Sequence, residues 1–96
     1  VAVIAGSDLY PGAAVLAATG ALRSGAGLIT LHVPAHAAAV IASKCPPEII
    51  VRGFSSPDEL RDLKCDALVI GCGLRRFARH RHRLRNPSEE RIKLIV

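Results

Sequence analysis

Aromatic residues are almost missing from this 96-residue chain, which has no tryptophan, one tyrosine and two phenylalanines. A core built without them has to be aliphatic and rich in alanine, the composition of helices packed closely on a sheet. Half of the residues are nonetheless hydrophobic, enough for one small core. The three cysteines, Cys45, Cys65 and Cys72, form no C-x-x-C pair and have no histidine at ligand spacing. That excludes a zinc ribbon or a disulfide framework and points to a reduced, cytoplasmic setting with thiols serving as small apolar side chains. No apolar run reaches the ~18 residues of a membrane span, so no membrane partner is expected. Neither G-x-G-x-x-G with its acidic partner nor G-x-x-x-x-G-K-[ST] occurs, so the two common nucleotide-binding loops are absent. Methionine is absent too, and the chain opens on Val1 inside an apolar run, which reads as a fragment of something longer.

Charge divides the chain in two. Residues 1–74 carry five Lys/Arg against six Asp/Glu, whereas residues 75–96 carry eight basic residues against Glu89 and Glu90. The net charge of +5 therefore belongs to the tail and says nothing about what the first part binds. An arginine-rich tail favours polyanions through counterion release. With no aromatic platform, zinc-ligand spacing or docking helix beside it, nucleic acid is not expected as a partner.

The first 34 residues organise the rest. Val1 to Ala5 is an uninterrupted apolar run of the kind that marks a parallel strand covered on both faces. Gly6-Ser7-Asp8-Leu9-Tyr10-Pro11-Gly12 breaks it and can turn backbone amides toward a ligand. Ala- and Leu-rich residues from Gly12 to Ser24 predict a helix, with Gly25 at its end in the position that favours positive φ. Leu28 to Val33 is a second strand, closed by Pro34, completing a right-handed βαβ unit. Beyond it, His36 to Lys44 predicts a short helix ended by Cys45-Pro46-Pro47, and Glu48 to Val51 a strand. Ser56-Pro57-Asp58-Glu59 is a helix start with a capping residue, a proline and acids in the first turn, and this helix is expected to run to about Lys64. Asp66 to Ile70 is another buried strand, followed at once by Gly71-Cys72-Gly73. Loops at the carboxyl ends of parallel strands form the binding crevice of open α/β sheets, so the loops after the first and the last of these strands are expected to face the same crevice. Asp8 is most simply a turn residue bonding local backbone, and His32 and His36 are structural or exposed.

The run Ile4-Ala5-Gly6-Ser7, then Tyr10-Pro11-Gly12-Ala13-Ala14, then Ala21 to Leu28, resembles the start of the ADP/ATP-dependent NAD(P)H-hydrate dehydratases, which have a ribokinase-like fold. Val33-Pro34, Pro47-Glu48 and Asp66 to Leu74 continue the resemblance in the same order, except that Cys72 stands where the family usually has proline. The pyrimidine kinases of thiamine synthesis begin with a similar strand and loop, but they carry Gln-Ala-Asp where this chain has Val15-Leu16-Ala17. The implied fold is α/β, a parallel sheet with flanking helices forming part of a ribokinase-like domain over residues 1–74. The implied substrate is hydrated NADH or NADPH, held in a pocket lined by Gly6, Ser7, Tyr10, Gly12, Ala13, Gly71 and Gly73. ADP or ATP with Mg²⁺ is implied as co-reactant, and homo-oligomers as the assembled state. The family's Gly-Thr-Gly-Asp type motif is absent from these residues, so no catalytic residue or metal ligand is named and the chain alone is expected to be inactive. The alternatives are a hydroxymethylpyrimidine-type kinase fragment and a non-catalytic basic polyanion-binding protein.

The resemblance stops at Leu74. Residues 75–96 read as an atypical basic tail, disordered or a solvated helix, with Ile92 to Val96 as a last strand. Local signals that agree up to one residue and then cease to agree suggest a change of reading frame near codon 74.

Overall fold

The computed structural model describes residues 1–61, 63–74 and 93–95. Strand β1 (Ala2–Ile4) leads through a loop to helix α1 (Pro11–Arg23) and strand β2 (Thr30–Pro34). A 3₁₀ turn (Ala35–Ala37) and helix α2 (Ala38–Lys44) precede strand β3 (Ile50–Phe54). A second 3₁₀ turn (Pro57–Leu60) leads to strand β4 (Ala67–Ile70), and strand β5 (Lys93–Ile95) runs beside β4. The sheet order is β3-β2-β1-β4-β5 and every neighbouring pair is parallel. This is the expected α/β fold, and the strand expected near the carboxyl end is present. The arginine-rich stretch 75–92 lies outside the described residues.

β1 sits inside the sheet because it has nothing polar to offer to water. Its three residues are all buried, with Val3 facing one layer and Ala2 and Ile4 the other. On the first face, Val3, Leu31 and Val33 meet Ala14 and Ala18 of α1 and Ile41 of α2. Ala14 and Ala18 are one helical turn apart, and their small side chains let α1 lie close against the strands. Ile41 is wholly buried, so truncation to alanine there costs about 2–5 kcal/mol. On the opposite face, Ala2, Ile4, Leu68 and Ile70 pack with Phe54 and Leu60.

The helix ends follow local chemistry. α1 starts on Pro11, whose missing N–H removes one donor that the first turn cannot satisfy. It stops at Gly25, which takes φ +97° and donates its N–H to the Leu22 carbonyl at 3.2 Å. The Ser56 start is a full capping box: the Ser56 side chain accepts from the Asp58 N–H, and the Glu59 carboxylate accepts from the Ser55 and Ser56 N–H groups. It opens only one 3₁₀ turn, not the helix expected to reach Lys64. β3 also begins later than expected. The Ile49 N–H donates to the Pro46 carbonyl, so the residues after the prolines close a turn before they can pair with β2.

Candidate functional site

The strand order places a reversal beside β1. From β1 the chain steps outward to β2 and β3, then returns to lay β4 on the other side of β1. In an open parallel sheet, such a switch leaves a crevice between the loops that follow the two central strands. Here those loops are Ala5 to Tyr10 and Gly71 to Leu74, and they are bonded to each other. The Gly6 N–H donates to the Cys72 carbonyl at 2.7 Å, and the Gly71 N–H donates to the Ile4 carbonyl at 3.2 Å.

The residues singled out from the sequence divide into two groups. Gly6, Ser7, Gly71 and Gly73 build the loops. Gly6 has φ +80°, and a Cβ there would lie 2.6 Å from the Ala14 Cβ, so glycine is required for α1 to sit down on the loop. Gly73 has φ +74°, and a Cβ there would lie 2.7 Å from the Ala13 Cβ and 3.1 Å from the Tyr10 Cβ. Gly71 also has positive φ, and the Leu74 N–H closes the turn onto its carbonyl. Ser7 is buried, and its Oγ accepts the Tyr10 N–H at 3.0 Å, fixing the chain as it enters α1.

Tyr10, Gly12 and Ala13 form the second group, at the mouth of α1. Tyr10 is exposed and Ala13 is half-buried against Gly73. Gly12 is exposed, and a Cβ there would meet nothing within 4 Å. No side chain caps α1, and its first turn contains no acid. Its leading N–H groups, which a helix cannot satisfy internally, thus point outward from a positive dipole end, an arrangement that suits an anion.

Asp8 and His36 are also brought together, with Oδ1 and Nε2 3.7 Å apart and both side chains more than half exposed. Neither was singled out from the sequence as a site residue. They are far apart in the chain and meet because both follow the carboxyl ends of neighbouring parallel strands. His32 meets the start of the first loop through its backbone, its carbonyl accepting the Ala5 N–H at 3.2 Å. It is buried, and its imidazole is held below the ordinary histidine range, first by burial and second by the Arg52 charge. Burial pushes the thiols of Cys45 and Cys65 up, as befits small core side chains, while Cys72 is exposed in the β4 loop.

Among the described residues no three His, Cys, Asp or Glu side chains converge as a metal site. These residues therefore do not fit the implied Mg²⁺. No helix among them is long and apolar enough to cross a membrane.

An α/β sheet with a crevice at its reversal is common to many enzymes that bind phosphorylated ligands, and comparison with known proteins narrows the class. The family model described as NAD(P)H-hydrate dehydratase matches residues 1–96, past Leu74, where the resemblance was expected to stop. The chain belongs to that family. A bifunctional NAD(P)H-hydrate repair enzyme of Methanothermobacter thermautotrophicus is 40% identical over 82 residues, covering 76% of this chain and 16% of the relative. An ADP-dependent (S)-NAD(P)H-hydrate dehydratase of Xanthomonas campestris is 36% identical over 85 residues, covering 77% of this chain and 29% of the relative. A Synechocystis bifunctional NAD(P)H-hydrate repair enzyme is 43% identical over 52 residues, covering 54% and 10%. The chain thus spans less than a third of the length of each of these relatives. No solved structure gives a significant match.

Proposed function

We propose that this chain forms the crevice in which a nicotinamide-nucleotide repair enzyme holds hydrated NADH or NADPH, with ADP or ATP as the driving nucleotide. The supporting observation is the junction of the β1 and β4 loops at the sheet reversal, where Gly73 rests on Tyr10 and Ala13 beside the uncapped end of α1. The hydroxyl on the hydrated ring is a poor leaving group. Phosphoryl transfer from the nucleotide makes it a good one, and its departure with loss of a ring proton restores the dinucleotide.

The work of these residues is positioning. The amides of Gly12 and Ala13 face a phosphate of the dinucleotide, and the bare Cα of Gly12 leaves room for it. Gly6, Ser7, Gly71 and Gly73 keep the two loops rigid, which holds the ligand's geometry without reorganisation. Proton transfer and phosphoryl stabilisation belong to groups elsewhere in the whole enzyme. Association of copies belongs to the same reading, since β3 ends the sheet with Ile50, Arg52 and Gly53 exposed.

The test is Gly12→Val in a full-length relative at the matching position. Open space around Gly12 means that the variant folds, while the added isopropyl group fills the ligand's place. Dinucleotide retention is expected to fall by at least about tenfold, or 1.4 kcal/mol, with the thermal midpoint little changed. Unchanged affinity removes this loop from the site.

A further inference from the structure

A second feature lies at the other edge of the sheet. A hollow of about 250 Å³ opens between the start of β2 and the segment leading into β4, lined by Leu28, Thr30, His32, Arg52, Leu63 and Lys64 among others. His32 and Arg52 are register partners on adjacent strands, so their side chains stand together on one face. His32 is only 8% exposed, yet among the described residues its imidazole has no hydrogen-bond partner. Buried polar groups are nearly always satisfied, and one that lines an open hollow without a partner marks a place where something else supplies it. The charged side chains that line it, Arg52 and Lys64, are both cations, with the Asp66 charge acting on Cys65 at its wall. Among the described residues the ion pairs are His36 with Asp8 and Arg61 with Asp58, leaving Arg52 and Lys64 without a carboxylate.

We propose that this hollow is a binding site for a small organic phosphate. Two permanent cations match a phosphate dianion, whereas a single carboxylate leaves one of them uncompensated. The Arg52 guanidinium is a planar fork suited to two phosphate oxygens, Lys64 adds a point charge, and the His32 ring supplies a donor at close range. Leu28 and Leu63 give the rest of the ligand an apolar wall. The site is separate from the crevice at the carboxyl edge and does not depend on what that crevice binds.

The test titrates the 96-residue chain with inorganic phosphate and with ribose 5-phosphate, following the histidine ring signals by NMR. Both probes are expected to move the His32 signals, and ribose 5-phosphate is expected to bind several-fold more tightly because of the apolar wall. Arg52→Ala, at an exposed position, is expected to weaken binding about tenfold with the amide spectrum otherwise preserved. Lys64→Ala is expected to weaken it by a smaller factor, and Gly12→Val to leave it within about twofold. Unmoved His32 signals at tens of millimolar probe overturn the proposal, as does wild-type binding by both Arg52→Ala and Lys64→Ala. Loss of binding in Gly12→Val overturns it as well, by assigning the phosphate to the opposite edge.

Discussion

Gly73 and Ala13 are closed against each other: a Cβ on Gly73 would lie 2.7 Å from the Cβ of Ala13, closer than two carbon atoms can approach. The β4 loop therefore touches the start of α1 only because one of the two residues has no side chain. Gly73→Ala combines this clash with a left-handed backbone at φ +74° and is expected to destabilise the fold by about 2–5 kcal/mol. Urea unfolding of Gly73→Ala against Gly12→Val checks this. The two glycines then separate by role, one needed for the fold and the other for open space.

The capping box at Ser56 yields a pair of expectations. Ser56→Ala removes the acceptor for the Asp58 N–H and should cost about 1 kcal/mol. Glu59 is held below its ordinary value of 4.5 by the N–H groups of Ser56 and Ser55. Its contribution is therefore full above that value and fades as pH falls through the lower folded value. Glu59→Gln should lose stability relative to the parent chain at pH 7, and the gap should close toward pH 3, read from thermal midpoints at both values.

His32 has the opposite charge type and the same sign of pH dependence. Its folded value lies below the ordinary 6.5, so the unfolded chain binds the proton more readily. Stability is complete above pH 6.5 and declines as pH falls from there toward the folded value. His32→Gln should flatten the stability profile between pH 5 and 7. An unchanged slope would show that the imidazole is solvated in the fold.

The frame change expected near codon 74 now carries a sharper requirement. The family match runs to residue 96, and Lys93–Ile95 pairs in parallel with Ala67–Val69. A shift confined to the arginine-rich stretch must then be reversed before residue 93. Reading the gene in all three frames checks this. Two compensating changes flanking that stretch support the shift, and an alternative frame broken by stops establishes the arginines as genuine.

Much of the secondary structure was legible because its causes are local. The apolar run at Val1 to Ala5, the alanines between Pro11 and Gly25, the prolines at 46 and 47 and the Ser56–Glu59 box each act within a few residues of themselves. Where a local signal competed with a turn, the boundary moved: β3 starts at Ile50, and the capped segment stops after one 3₁₀ turn. The loops after β1 and β4 were legible as glycine-bearing turns after strands, but the division of the seven residues proposed to line the crevice into loop builders and open positions was not. Gly12 and Gly73 are alike in the sequence, and only the tertiary structure puts open space beside one and Ala13 beside the other.

The sequence by itself determined which segments extend, bend and bury, because hydrogen-bonding capacity, φ preference and apolar periodicity are properties of the residues in place. Only the tertiary structure decided that β4 lies beside β1 opposite β2, which makes the reversal and bonds to each other the two loops already expected to share a crevice. It also decided that Asp8 meets His36 and that His32 stands beside Arg52. Such juxtapositions depend on which strands are neighbours, a choice made by burying two faces of one sheet at once, and no short stretch of residues encodes it.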